Sequence, residues 1–255
     1  MLEVKNVYKY FNERAVLSDI NLCFEPGKVN LVIGKSGSGK TVLMKCLVGL
    51  HEPDQGIISF DRRDFNTISE DERKKIRQEI GMLFQGAALF DYFTVEENVK
   101  FPLDMFTDMN PKEKLERINF CLEHVGLTGQ NHLYPSELSG GMKKRAGIAR
   151  AIVCNPQYLF CDEPNSGLDP KTSIVIDELI YEITHEFQMT TIMNTHDLNS
   201  VITIGDTIAF IYEGKLWWRG NKDEVLYSGN KELDEFIYAQ PLTQKMKEVL
   251  DKNRK

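Results

Sequence analysis

The chain has 255 residues, of which 42% are hydrophobic and 27% are charged, and its formal net charge is −7. This length is enough to bury a core without disulfides or a structural metal. The composition excludes a disordered, fibrous or collagen-like chain. The acidic balance argues against a nucleic-acid partner, because proteins that bind nucleic acid usually carry a basic surface.

The cysteines and the apolar segments indicate the compartment. The five cysteines are scattered and form no CxxC pair, which is typical of a reduced cytosolic protein. The first residues alternate apolar and polar like a half-buried strand and lack the pattern of a signal peptide. No window reaches the roughly 18 uninterrupted apolar residues of a membrane span. We therefore expect a cytosolic protein, or one that reaches a membrane through partners.

Strands and helices alternate along the chain. The predicted strands are 2–4, 20–24, 29–33, 56–60, 80–84, 158–161, 191–193 and 207–212. The predicted helices are 42–50, 171–187 and one each after Ser69, Asn110 and Gly140. Ser69 with Glu72 forms a capping box, and Asn110 is followed by a proline suited to the first helical position. Buried strands followed by helices predict an α/β fold with a largely parallel core sheet.

The organisation we expect is one domain over residues 1–240 followed by a charged tail over 241–255. Within the domain, the segment from about 90 to 155 is richer in helix and poorer in strand. It is predicted to be a helical insertion on the core. The tail mixes basic and acidic residues, so a solvated end is favoured over a regulatory or dimer contact.

The segment 34–41 carries the strongest motif. It reads Gly-Lys-Ser-Gly-Ser-Gly-Lys-Thr and lies between a predicted buried strand and a helix, which is the context of a P-loop. The glycines let backbone N–H groups face phosphate oxygens, and the helix adds its positive N-terminus. Lys40 is expected to neutralise the β- and γ-phosphates and Thr41 to ligate Mg²⁺. The candidate nucleotide-binding residues are Gly34, Lys35, Ser36, Gly37, Ser38, Gly39, Lys40, Thr41 and Val42.

A second motif is the hydrophobic strand 158–161 followed by two carboxylates, Asp162 and Glu163. The first acid is expected to hold Mg²⁺, usually through water. The second is expected to polarise an attacking water and accept its proton. Together with the P-loop, this pair predicts nucleotide hydrolysis.

These residues resemble the ATPase subunit of an ATP-binding-cassette (ABC) transporter, and the resemblance covers nearly the whole chain. The segment 138–142, Leu-Ser-Gly-Gly-Met, resembles the family's LSGGQ signature with methionine in place of glutamine. A serine and glycines that open a helix form a second anion cradle. The resemblance implies that Ser139, Gly140 and Gly141 bind a phosphate held by another subunit.

The resemblance implies further roles, residue by residue. Gln85 would be the Q-loop glutamine that reaches Mg²⁺ and the attacking water, and His196 the switch histidine on the γ-phosphate. Asp169 would cross the dimer interface. Phe11 would stack on adenine, with Tyr10 as the alternative. The implied catalytic residues are Glu163, His196 and Gln85, and the implied magnesium ligands are Thr41, Gln85 and Asp162.

One P-loop and one signature per chain imply a head-to-tail homodimer around two ATP molecules, coupled to integral-membrane permease subunits. The runs 82–91 and 138–151 resemble the ATPases of MCE-type lipid transporters, the Mla and Mkl groups. This implies phospholipid or other hydrophobic cargo, a periplasmic MCE-domain partner and a position on the cytoplasmic face of the inner membrane. An importer for another cargo, a soluble ABC ATPase and a nucleotide-gated scaffold with negligible turnover remain alternatives.

A set of apolar residues follows Gln85. They either line a groove for a permease helix or pack inside the helical insertion. They are Phe90, Tyr92, Phe93, Phe101, Pro102 and Phe106.

Overall fold

A computed structural model of the chain describes residues 1–239, 243–245 and 247. Most of the predicted tail lies outside these residues. The strands are β1 (Leu2–Phe11), β2 (Arg14–Phe24), β3 (Val29–Ile33), β4 (Gln55–Phe60), β5 (Arg63–Asp64), β6 (Ile80–Leu83), β7 (Tyr158–Asp162), β8 (Thr190–Thr195), β9 (Thr207–Tyr212) and β10 (Lys215–Gly220). The α-helices are α1 (Lys40–Leu47), α2 (Glu70–Gln78), α3 (Val95–Phe106), α4 (Pro111–His124), α5 (Gly140–Ile152), α6 (Pro170–Glu186), α7 (Leu198–Ile204) and α8 (Lys231–Ile237). Two short 3-10 helices span Pro135–Glu137 and Val225–Tyr227.

The strands form two sheets. The first is antiparallel, with the order β2-β1-β4-β5, and the second has the order β10-β9-β3-β8-β7-β6. In the second sheet, every pairing except that of β10 with β9 is parallel. Ile33 pairs with Thr195, and Asp162 pairs with Asn194. The carboxyl ends of β3, β7 and β8 therefore meet at one edge, where α/β proteins place ligands.

The six-stranded sheet separates two hydrophobic cores, because alternate residues of its strands face opposite sides. Every residue of β3 is buried. Its Leu31 packs with the helices between β6 and β7 and with α6, whereas Val32 packs with α1 and the antiparallel sheet. A strand buried on both faces explains the continuous apolar run in the sequence.

Three α-helices connect β6 to β7, with well-formed N-termini on α3 and α4. Thr94 and Asn110 each form a capping box with the residue three positions on. Buried Asn98 of α3 accepts a hydrogen bond from the backbone N–H of Phe90 and donates to the carbonyls of Phe90 and Phe93. This side chain holds the loop before α3 against the helix.

The predicted fold class is confirmed: an antiparallel β-sheet, a mainly parallel core sheet and a helical segment between β6 and β7. The capping box at Ser69 and the proline start after Asn110 are present. No element was predicted at β5, β10, α7 or α8, and α3 was expected only as part of the helix-rich segment 90–155. β10 alternates exposed and half-buried residues, so its hydrophobic signal is weaker than that of a central strand. Within the described residues, no helix has the length and apolarity needed to span a bilayer.

Candidate nucleotide-binding and catalytic site

The loop between β3 and α1 approaches neighbouring backbone closely. Gly34 has a φ of 153°, and a Cβ atom on it would lie 2.3 Å from the Ile211 carbonyl oxygen. Gly39 has a φ of 107°, and a Cβ there would lie 2.9 Å from the Val16 carbonyl oxygen. Only glycine fits such positions without strain. The two glycines of the P-loop pattern, Gly34 and Gly39, are therefore required by the local geometry.

The loop carries two polar groups whose burial points to an anionic ligand. The Lys40 side chain is buried, and its Nζ donates to the carbonyls of Gly34 (2.8 Å) and Lys35 (3.1 Å). Burial lowers the pKa of Lys40, while Glu163 acts in the opposite direction. Ser38 Oγ is also buried and has no hydrogen-bond partner among the described residues. A buried unpartnered hydroxyl and a buried ammonium group on the same loop fit a phosphate group.

A cavity of about 810 Å³ lies beside this loop. Phe11 lines it together with Lys35 to Ser38 on one side and the β9–β10 turn on another. Phe11 is 42% exposed. Tyr10 does not line this cavity, and its ring stacks on that of Tyr8 at a centroid distance of 6.4 Å.

All three predicted catalytic side chains lie together. Gln85 Nε2 donates to Glu163 Oε2 at 3.1 Å, and His196 Nδ1 lies 3.3 Å from Glu163 Oε1. The Glu163 backbone N–H donates to the Asn194 carbonyl at 3.0 Å, which ties the end of β7 to β8. Glu163 has a φ of 46°, a left-handed conformation that is uncommon for a non-glycine residue. Such outliers cluster at functional sites.

Two oxygen ligands expected for Mg²⁺ lie at the end of β7 and the start of α1. Asp162 ends β7, and its Oδ1 accepts a hydrogen bond from Asn194 Nδ2 at 3.0 Å. Thr41 is exposed in the first turn of α1. A hydroxyl and a carboxylate suit Mg²⁺, which usually keeps several waters and binds substrate phosphates as well. No cluster of three or more His, Cys, Asp or Glu side chains suited to a metal occurs in the described part of the chain.

The signature residues lie on a different cavity, of about 560 Å³, which also includes Gly167 and Asp169. Ser139 is the N-cap of α5 and accepts a hydrogen bond from the Met142 N–H at 3.3 Å. Asp169 is the N-cap of α6 and accepts from the N–H groups of Lys171 and Thr172. These bonds lower the pKa of Asp169, with the Thr172 hydroxyl making the largest contribution. Within one chain, the signature and the P-loop thus line separate cavities.

The sequence analysis missed a buried polar cluster behind the catalytic residues. Asp177 of α6 is 3% exposed and accepts hydrogen bonds from Ser200 Oγ (2.7 Å) and Asn165 Nδ2 (2.8 Å). Burial raises the pKa of Asp177 to about 6. Ser173, Asp177 and Thr184 recur at helical spacing, but polar residues on a helix are usually exposed, so this spacing did not indicate that all three are buried.

The strand–loop–helix phosphate cradle and the acids at the end of a neighbouring parallel strand define a P-loop nucleotide hydrolase. A family model described as "ABC transporter" matches residues 17–166. The chain belongs to this family and is an ABC-type ATPase subunit.

Several curated proteins are similar over most of the chain. The "Probable ribonucleotide transport ATP-binding protein mkl" of Mycobacterium leprae (strain TN) is 36% identical, over 92% of this chain and 68% of that protein. The methionine import ATP-binding protein MetN of Campylobacter jejuni is 36% identical, over 93% of this chain and 75% of that protein. The intermembrane phospholipid transport system ATP-binding protein MlaF of Haemophilus influenzae is 37% identical, over 93% of this chain and 90% of that protein. The named cargoes differ, so the family alone does not define a cargo.

Solved structures agree with this assignment. The dimeric ABC transporter cassette MJ0796 is similar with a TM-score of 0.79 and 32% identity, over 87% of this chain and 99% of that one. A dimeric post-hydrolysis state of the same cassette, bound to ADP and Pi, has a TM-score of 0.78, the same identity and the same coverage. The resemblance to the Mla and Mkl groups and the ATPase assignment are both confirmed.

Proposed function

We propose that the chain hydrolyses ATP at a composite site that two copies complete head to tail. The observation that carries this proposal is the cluster of Gln85 and His196 on the two oxygens of Glu163. The separate signature cavity supports the second half of the proposal, because the signature of one copy would serve the nucleotide of the other. The dimeric structures of MJ0796 support the same arrangement.

Each residue has a distinct task in this mechanism. The buried Lys40 ammonium neutralises the β- and γ-phosphates, and the backbone N–H groups of the P-loop bind their oxygens. Phe11 presents the face of its ring to adenine, and its place in the P-loop cavity favours it over Tyr10. Thr41, Gln85 and Asp162 would hold Mg²⁺, which supplies positive charge at the phosphates.

Glu163 is the general base. Its carboxylate orients a water and accepts a proton from it as the water attacks the γ-phosphorus and the bond from that phosphorus to the leaving ADP oxygen breaks. Gln85 and His196 hold the carboxylate in place. The partner copy contributes Ser139, Gly140 and Gly141 to the phosphate and Asp169 to the interface. ATP therefore stabilises the closed pair, and hydrolysis followed by product release permits opening.

A permease is the partner we propose for the groove between β6 and α3. The groove has a volume of about 440 Å³ and is lined by Phe84, Phe90, Phe101, Pro102 and Phe106 among others. Phe101 is 36% and Phe106 is 42% exposed. Tyr92 is 94% exposed and Phe93 is 37% exposed. An apolar, aromatic surface of this kind favours a protein partner, and its position next to Gln85 favours one that senses the nucleotide.

The cargo we propose is phospholipid or another hydrophobic molecule of the bacterial envelope. The similarity to MlaF, an intermembrane phospholipid transport protein, supports this cargo, as does Met142 within the basic run 138–151. A periplasmic MCE-domain protein would then be a further partner, and the ATPase would lie on the cytoplasmic face of the inner membrane. The similarity to MetN favours an importer of another cargo as the second candidate. We propose one ATPase domain over residues 1–240, with the helical insertion at about 90–155.

The test is a pulldown of the tagged chain from its native membranes in mild detergent, with mass spectrometry of its partners. Recovery of a permease with an MCE-domain protein would support the lipid proposal. A permease with another binding protein would overturn the cargo and leave the ATPase mechanism in place. Ribosomal or DNA-repair proteins without a membrane partner would overturn the transport proposal.

A further inference from the structure

The loop that carries Gln85 has an unusual backbone. Ala87 and Ala88 have φ angles of 61° and 48°. Both lie in the left-handed region, where a side chain with a Cβ atom is disfavoured and glycine is the usual residue. Two consecutive alanines in this conformation need stabilising contacts from outside the loop.

Those contacts come from α5. The Arg150 guanidinium donates to the carbonyls of Ala87 (2.6 Å) and Ala88 (2.7 Å). The Lys144 ammonium donates to the carbonyl of Gln85. A Cβ atom on Gly147 would lie 2.8 Å from Leu83 Cδ1, so α5 and the end of β6 pack without space between them. The loop is thus bound to α5 by two cations and a close helix contact.

The burial of Lys144 is expected to lower the stability of the folded chain, so stability alone does not explain this residue. It is 4% exposed, and no carboxylate of the described residues lies within ion-pair distance of its ammonium. Burial lowers the pKa of Lys144, while Cys161, Glu163 and Asp162 act in the opposite direction from a longer range. Burial of an ammonium without a paired charge opposes folding, and an apolar residue of similar length is often as stable or more stable. The position of Lys144 is better explained by what its hydrogen bond holds.

We propose that Lys144 is a positioning residue that acts through Gln85. By fixing the Gln85 carbonyl, it directs the side chain so that Nε2 reaches Glu163 at 3.1 Å. Lys144 also lies one turn after the signature glycines that open α5. A shift of α5 that follows contact between the signature and the nucleotide of a second copy therefore moves Gln85 toward or away from its own Glu163. This inference rests on the proposed role of Gln85.

The experiment compares three variants of the full chain by steady-state ATP hydrolysis and thermal unfolding. Lys144→Met keeps the aliphatic stem and removes the charge, and Lys144→Arg keeps a cation. Lys143→Met is the matched control, because the side chain of this half-buried neighbour on α5 makes no hydrogen bond with the described residues.

We expect Lys144→Met to lower kcat at least about tenfold, with KM for ATP within about twofold and an unchanged or higher Tm. Lys144→Arg should recover most of kcat, and Lys143→Met should match the wild type. An unchanged kcat, a kcat loss that Lys144→Arg does not recover, or failure of Lys144→Met to fold would each overturn the proposal. A structural role alone would lower Tm and leave the kcat of the folded fraction unchanged.

A double variant separates this inference from the function on which it rests. If Lys144 acts through Gln85, adding Lys144→Met to Gln85→Ala should change kcat by less than about twofold beyond Gln85→Ala alone. Multiplicative losses would show that Lys144 acts by another route and would overturn the inference. If Gln85→Ala alone leaves kcat unchanged, the proposed role of Gln85 is wrong, whatever Lys144 does.

Discussion

Replacement of Glu163 by glutamine tests the proposed general base. The substitution keeps the size of the side chain and removes its ability to accept a proton. General bases contribute about 10²–10⁴-fold to rate, so turnover should fall at least about 100-fold, equivalent to roughly 2.7 kcal/mol of transition-state stabilisation.

The effect of Glu163→Gln on ATP binding should be much smaller. The carboxylate accepts one hydrogen bond from Gln85, and its other oxygen lies 3.3 Å from His196 Nδ1. A glutamine replaces one acceptor oxygen with a donor, which loses one partly exposed hydrogen bond worth about 1 kcal/mol. ATP affinity should therefore change by less than about fivefold, a small effect beside the loss of turnover.

The assay is phosphate release at saturating ATP and Mg²⁺, with ATP binding measured by calorimetry on the same preparation. Glu178→Gln is the matched control, because Glu178 is an exposed acid on α6. Turnover of Glu163→Gln within about threefold of the wild type would refute the assignment of the base. If Glu163→Gln weakened ATP binding enough to explain the lost turnover, its effect on catalysis would not be separable from its effect on binding.

Three further predictions concern the cradle, the signature and the buried acid. Lys40→Ala should weaken ATP binding at least about tenfold by calorimetry, and unchanged affinity would count against the cradle. Gly141→Ala places a Cβ 2.6 Å from Thr172 Cγ2, so it should cost about 1–3 kcal/mol in urea unfolding. Adding Thr172→Ser should restore most of that loss, and no recovery would exclude this clash. Ionisation of Asp177, whose folded pKa is about 6 against roughly 3.9 unfolded, removes stability as pH rises from 4 through 6. Asp177→Asn should therefore gain up to about 3 kcal/mol over the wild type between pH 4 and pH 7, and a constant difference would contradict this.

The parts of the site that were predictable are those where chemistry requires a local pattern. The P-loop needs glycines at fixed positions because backbone groups approach within contact distance, as at Gly34 and Gly39. Asp162 ends the buried strand β7 and Glu163 follows it, as the sequence pattern indicates. Such requirements act over a few residues, so a single sequence displays them.

The parts that were not predictable depend on residues far apart in the chain. The bond from Lys144 to Gln85 spans 59 positions, and that from Asn165 to Asp177 joins a loop to the middle of a helix. A lysine or an aspartate in a helix is usually exposed. Nothing local reveals that these two are buried. β10 was missed for a different reason: it is an edge strand of alternating exposed and half-buried residues, so its hydrophobic signal is weak.

The central claim is that ATP joins two copies of this chain. The most direct measurement is the mass of the Glu163→Gln chain by light scattering during size exclusion, with and without ATP and Mg²⁺. We expect the 29.3 kDa monomer without nucleotide and twice that mass with ATP. Lys40→Ala in the same background should stay at the monomer mass. A Glu163→Gln chain that binds ATP and remains monomeric at high concentration would contradict the account.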